Sequence, residues 1–190
     1  MKKIKENITL TEYKKLMASA RGSDTIRENT RTNLLRTFTI LFFTGLRLNE
    51  LQEMKIMHIK ELLEDGTTKI NLSKTSTERK LYLTPDFKRQ LEKLFDVQIE
   101  DASNRVIAKG TNKKDGINPI TFIQQVNKFM KEVLGSGYTS HSFRQGLITE
   151  MGSKSINTKI ISKFIGHADI KTTMRYINPT DADVMNSLVR

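Results

Sequence analysis

Gly166-His167-Ala168-Asp169-Ile170-Lys171-Thr172-Thr173-Met174-Arg175-Tyr176 reads as a turn, a helix start and one tyrosine. Alone it settles nothing, because a tyrosine on a short helix is most often a half-buried aromatic. Its weight comes from three distant stretches: Thr44-Gly45-Leu46-Arg47, the lysine-bearing connection around Lys74, and His141-Ser142-Phe143-Arg144. With them the chain holds a phenol, two guanidiniums, two imidazoles and an ammonium.

Around this set, 190 residues suffice for one well-cored domain. A hydrophobic share of 37% with 28% charged residues fits a globular protein. The net charge of +11 and the pI near 9.8 favour a polyanionic partner, nucleic acid before an anionic membrane surface. No run approaches the roughly 18 apolar residues of a membrane span. The opening Met1-Lys2-Lys3-Ile4-Lys5-Glu6-Asn7 lacks the apolar stretch of a secretory signal. The absence of cysteine excludes disulfides and thiolate metal sites, and three histidines are too few for a histidine-built metal cluster. A cytoplasmic protein with neither metal nor cofactor is expected.

Periodicity predicts a mainly α domain with a small three-stranded antiparallel sheet. Leu10 to Ala20 is an amphipathic helix with Thr9 or Thr11 as cap. A longer core helix builds from Ile26 and stops at Thr44-Gly45, where glycine suits a left-handed end. Ile56–Leu63, Thr67–Ser73 and Arg79–Thr84 read as strands, with Asp65-Gly66 as a hairpin turn. Thr84-Pro85 starts a helix running to about Phe95. Residues 96–115 are polar and irregular apart from a short strand at Val106-Ile107. Helices follow from Asn118-Pro119, from Ser140 to Met151, from Thr158 to Phe164 and after Asp169, with one more in the tail from Asp181 to Val189. No linker or repeat divides the chain, so residues 1–190 form a single domain.

The chemistry follows from residue types. In-line attack on a phosphodiester places extra negative charge on the non-bridging oxygens. Arginine suits that charge, because its planar fork is always cationic and bonds two oxygens at once. His141 and Arg144 stand three apart on a helix and so address one face. Tyr176 is the nucleophile candidate; a free phenol ionises at a pH of about 10, so it must shed its proton as it attacks. Tyr13 and Tyr82 instead sit in periodic core patterns, and Tyr138 precedes the His141 helix. The bland alternatives are a helix-capping Arg47, a solvated helix start at His141, a helix-terminal His167 and a solvated loop lysine at 74. His58 has no motif around it and reads as surface.

Thr44-Gly45-Leu46-Arg47-Leu48-Asn49-Glu50-Leu51, His141-Ser142-Phe143-Arg144 and Gly166-His167 with Tyr176 nine positions on resemble the tyrosine recombinase (phage integrase) family, in the same order and over nearly the whole chain. The resemblance implies the catalytic-domain fold of these DNA breaking-rejoining enzymes. It implies a site-specific recombinase or integrase that works through a 3′-phosphotyrosine without metal or ATP. Arg47, Arg144 and His167 would stabilise the transition state, His141 would assist proton transfer or phosphate contact, and Glu50 would support Arg47 or pack beneath the site. Lys74 would protonate the 5′-oxygen, with Lys69 and Lys80 as rivals in the same hairpin. Lys109, Lys113 and Lys114 are the candidate contacts to the DNA backbone. Expected partners are double-stranded recombination sites and three further copies of the chain on synapsed DNA, the free form being a monomer. Accessory directionality or DNA-bending proteins are expected too.

Two departures stand out. Gln145 follows Arg144 where many relatives carry histidine, and the family's N-terminal core-binding domain does not precede residue 1. The chain is therefore expected to be a catalytic fragment, or to clamp DNA from one side. The rival readings are a type IB topoisomerase, a catalytically silent DNA-binding accessory protein, or a basic helical domain with coincidental matches. Because Tyr176 rides on short elements near the end of the chain, a resting position displaced from the arginines is expected.

Overall fold

Helix α1 (Leu10–Gly22) opens on a reciprocal cap, in which Thr9 accepts the Thr11 N–H and Glu12 accepts the Thr9 N–H. In the computed structural model, which describes residues 6–72, 77–110, 112–167, 169–177, 181 and 185, this helix lays Tyr13, Leu16, Met17 and Ala20 against α2 (Glu28–Thr44). Phe38 lies at the centre of α2, its ring 5.8 Å from that of Phe129 and 5.9 Å from that of Phe143. Gly45 ends α2 in the left-handed conformation at φ 60°, and a short turn then starts α3 (Leu48–Gln52) with Arg47 at its N-cap. A Cβ at Gly45 would stand 3.0 Å from Ile165 and 3.1 Å from Leu147, so both conformation and space call for glycine there.

The sheet differs from expectation. Residues 56–63 are not a strand but the start of helix α4 (Ile56–Asp65), with Ile56, Ile59 and Leu62 fully buried at helical spacing. Two β-branched residues in a short apolar run imitate a strand; the spacing of three decides otherwise. Asp65-Gly66 is therefore a helix end, Gly66 returning its N–H to Leu62 O, and not a hairpin turn. His58 is half-buried and caps α4, its Nδ1 accepting the Lys55 N–H at 2.9 Å. Strands β1 (Thr67–Leu72) and β2 (Thr77–Tyr82) form an antiparallel pair with Ile70 opposite Arg79.

Helix α5 (Pro85–Leu94) begins on the Thr84 cap, as its Thr-Pro start predicts. The stretch read as irregular carries a second antiparallel pair, β3 (Ala108–Lys109) and β4 (Asn112–Gly116). Val106 and Ile107, expected as a strand, lead buried into β3. The predicted three-stranded sheet is thus two separate two-stranded ones. Asn33 fastens the second pair to α2 by exchanging hydrogen bonds with Ala108, and Arg36 reaches Glu100 at 2.6 Å. Tyr82 lies 47% exposed rather than in the core.

The remaining helices are α6 (Pro119–Leu134), α7 (His141–Ser153), α8 (Thr158–Ile165) and α9 (Ile170–Met174). Of the expected tail helix, Asp181 and Met185 are helical and the rest lies outside the described residues. Most apolar side chains of α1 to α7 form one core. A second, smaller cluster joins Ile148 of α7 to Ile161 and Ile165 of α8, with Tyr176 and Ile177 against it. Among the described residues no helix is long and apolar enough to cross a membrane.

Candidate active site

Helix ends deliver the site's side chains. The Gly45 turn at the end of α2 releases Arg47, the start of α7 presents His141 and Arg144, and the end of α8 presents His167. Gly166 closes α8 left-handed at φ 73°, with the N–H groups of Gly166 and His167 both returning to Ser162 O. A cleft of about 200 Å³ is lined by Arg47, His141, Arg144 and Ile123, among others.

Arg144 is the anchor. The residue is 1% exposed, yet its guanidinium is bonded to neutral acceptors: Nη1 to Gly45 O at 2.9 Å, Nη2 to Ile165 O at 2.7 Å and Nε to His167 Nε2 at 3.3 Å. Burial, then the charges of Arg79 and Arg47, push it down to about 9, so it stays cationic at neutral pH. A buried cation held by carbonyls keeps most of its field for an incoming anion.

Arg47 is held differently. Its side chain is 43% exposed, and Nη1 lies 2.6 Å from Glu50 Oε1. Glu50 Oε2 accepts the Arg47 backbone N–H at 2.8 Å and Arg79 Nη1 at 3.1 Å. Burial would raise the Glu50 carboxyl, but the Arg47 N–H and the charges of Arg79 and Arg47 outweigh it and hold the group ionised. The expected support of Arg47 by Glu50 is therefore present.

His167 sits between Arg144 and Thr173, with Nδ1 2.8 Å from Thr173 Oγ1. Arginine can only donate, so His167 Nε2 holds the lone pair and the neutral ring carries its proton on Nδ1. Burial and then the charges of Arg144, Arg47 and Arg79 push its titration down to about 4. His167 is therefore neutral at physiological pH.

Tyr176 completes the group. Its hydroxyl lies 3.2 Å from His141 Nε2, its N–H bonds Thr173 O, and its carbonyl accepts Thr149 Oγ1 at 3.4 Å. The hydroxyl thus engages His141, a residue that lines the cleft. Arg47, Glu50, His141, Arg144, His167 and Tyr176, from three separate stretches, come together as expected.

Lys74 lies outside the described residues. Lys69 and Lys80 are exposed on the outer face of the β1–β2 hairpin, Lys69 paired with Glu78 at 3.0 Å and Lys80 over the Tyr82 ring. Lys109, Lys113 and Lys114 are exposed on the second hairpin, Lys113 reaching Asn29 near the start of α2. That end of α2 is roughly 20 Å from the Arg47 turn, so these lysines stand apart from the cluster.

Two contributors were not foreseen. Arg79 is buried beneath the cluster, and strand alternation offered the signal: exposed Glu78 and Lys80 flank it, and it shares a face with buried Leu81. Thr173 is fully buried and bonds His167, but nothing in its sequence context distinguishes it from Thr172.

Residues 6–183 match the phage integrase family, and the chain belongs to it. A similar curated relative is the tyrosine recombinase XerA of Pyrococcus horikoshii, 26% identical over 179 residues. That match covers 94% of this chain and 59% of the relative, so the chain spans about three fifths of the relative's length. Among solved structures, the XerH site-specific recombinase bound to its difH substrate superposes with a TM-score of 0.70 at 21% identity, over 98% of this chain and 54% of that one. The Tn1549 transposon integrase in complex with a circular intermediate DNA gives 0.72 at 16% identity, over 97% of this chain and 65% of that one. The fold is shared with both.

Proposed function

We propose that the chain is the catalytic domain of a tyrosine-type site-specific recombinase, which cuts and rejoins DNA strands through a 3′-phosphotyrosine. The observation that carries the reading is the Tyr176 hydroxyl 3.2 Å from His141 Nε2, beside the cleft that Arg144 and Arg47 line. A scissile phosphate between the two guanidiniums would meet one exposed and one buried fork. The Tyr176 oxygen forms the new bond to phosphorus and passes its proton to His141 Nε2 as the bond to the 5′-oxygen breaks. Arg144, Arg47 and His167 meet the charge gathering on the non-bridging oxygens. To donate there, His167 must turn or exchange its tautomer, because Nε2 now accepts from Arg144. A 5′-hydroxyl then reverses the step, so the bond energy is kept and neither ATP nor metal is consumed.

Lys74 is the proposed general acid, since Lys69 and Lys80 lie on the outer face of their hairpin. Lys109, Lys113 and Lys114 would hold duplex phosphates further along; roughly 20 Å is about six base pairs of DNA. Recombination sites, a tetramer on synapsed DNA and helper proteins complete the proposal.

The test uses this chain and a pool of nicked duplexes of randomised sequence, incubated in EDTA. A nick lets the short 5′-hydroxyl fragment diffuse away, so cleaved protein stays attached to DNA. Covalent adducts with wild type and none with Tyr176→Phe are expected. No wild-type adduct, or equal adduct from Tyr176→Phe, would refute the reading; relaxation of supercoils without exchange between duplexes would make it a topoisomerase.

A further inference from the structure

Arg79 is a cation that the chemistry above leaves unused. Its side chain is 2% exposed and, unlike that of Arg144, does not line the cleft beside Arg47, and its nitrogens are bonded elsewhere. Nη1 donates to Glu50 Oε2 at 3.1 Å, Nη2 to Thr44 O, and Nε to Phe164 O at 3.3 Å. Those acceptors are not scattered. Thr44 O is the last carbonyl of α2, directly before the Gly45 turn that releases Arg47. Phe164 O lies at the end of α8, directly before the turn that presents His167. A Cβ on Gly166 would lie 3.4 Å from Arg79 Cδ, so the side chain runs beneath that second turn as well.

We propose that Arg79 is a positioning residue that sets the spacing between the Arg47 turn and the His167 turn, and that it holds Glu50 Oε2 so that Oε1 orients Arg47. The inference rests on the recombinase reading and adds a residue to it. A planar fork with three separated N–H directions can bond two main-chain carbonyls and a carboxylate at once. Lysine, a single point charge on a flexible stem, cannot keep all three in register. The competing role is a buried ion pair that merely holds the fold, and the two differ in what they do to Arg47.

The measurements are single-turnover cleavage and affinity, with a nicked duplex recovered from the randomised pool. Arg79→Lys is expected to bind that duplex within about threefold of wild type, since Arg79 does not line the cleft, and to cleave it about 10²-fold more slowly, the usual cost of a misplaced catalytic group. In an Arg47→Ala background, Arg79→Lys should cost much less than that, because the group it positions is already gone. Equal cleavage by Arg79→Lys and wild type would overturn the assignment, as would losses that simply multiply in the double variant. If Arg79→Lys does not fold, Arg79→Gln keeps one amide donor for Glu50 and leaves the Glu50–Arg47 pair in place. It is held to the same slowed cleavage and retained affinity. A wild-type chain that forms no adduct ends the recombinase reading itself; a wild type that cleaves, matched by its Arg79 variants, ends only this inference.

Discussion

Arg144 and Tyr176 belong to one candidate site but rest on different parts of the molecule. Arg144 extends from the start of α7, beside Phe143 in the main core, and is tied to the ends of α2 and α8 through Gly45 O and Ile165 O. Tyr176 follows the five-residue helix α9 and packs on the small cluster around Ile148, Ile161 and Ile165. Its main chain is held by Thr149 and Thr173, and its hydroxyl by His141. The side proposed to stabilise charge is thus built into the fold, whereas the side proposed to carry the nucleophile packs on the smaller cluster. Such a division suits a reaction in which the tyrosine must travel with a DNA strand while the arginines stay fixed, because sparse apolar packing marks the elements that open most readily.

Arg144→Ala breaks the comparison most severely. It should cut adduct formation by about 10³-fold, the cost of losing one preorganised charge donor. It should also lower the melting temperature, since two buried carbonyls lose their donor at about 1–3 kcal/mol each. A variant that melted like wild type would show that Arg144 is not anchored as described.

The acid side of the stability curve probes the junction of the two halves. His167 titrates at about 4 here against 6.5 for the free side chain. From pH 6.5 down to 4 the unfolded chain takes up a proton that the folded chain refuses, so stability falls as the pH falls. Solvent screening at this half-buried ring reduces the effect to about 1–2 kcal/mol. Burial also lowers His58, which acts in the same direction. Urea melts at pH 6.5 and 4.5 should show the drop, and His167→Gln should remove part of it; an unchanged slope would contradict the neutral, buried His167.

The smallest effect belongs to the second hairpin. Alanine at Lys109, Lys113 or Lys114 should weaken DNA binding a few-fold, with the salt dependence falling by about 0.9 for each phosphate no longer neutralised, while cleavage of bound DNA stays unchanged. A change in the cleavage rate itself would bring these lysines nearer the chemistry than their place by the start of α2 allows.

The sequence disclosed the site more fully than the sheet. Gly45, Asn118-Pro119 and Gly166 mark helix boundaries by backbone chemistry that needs no tertiary context, and so the ends that carry Arg47 and His167 were legible. Ile56 to Leu63 was not, because a short apolar run with two isoleucines satisfies strand and helix patterns alike until burial separates them. The β3–β4 pair escaped notice since β3 is only two residues long and β4 is polar and exposed, the pair being held to α2 through Asn33 and Ala108. Arg79 escaped for a different reason. A charged residue within a strand is normally solvated, and only the positions of Thr44 O, Phe164 O and Glu50 make its burial tolerable.

The most direct test is to digest the protein–DNA adduct and map the modified peptide by mass spectrometry. The account predicts a nucleotide on Tyr176, linked through its 3′-phosphate. A nucleotide on Tyr13, Tyr82 or Tyr138, or on no tyrosine at all, would contradict it.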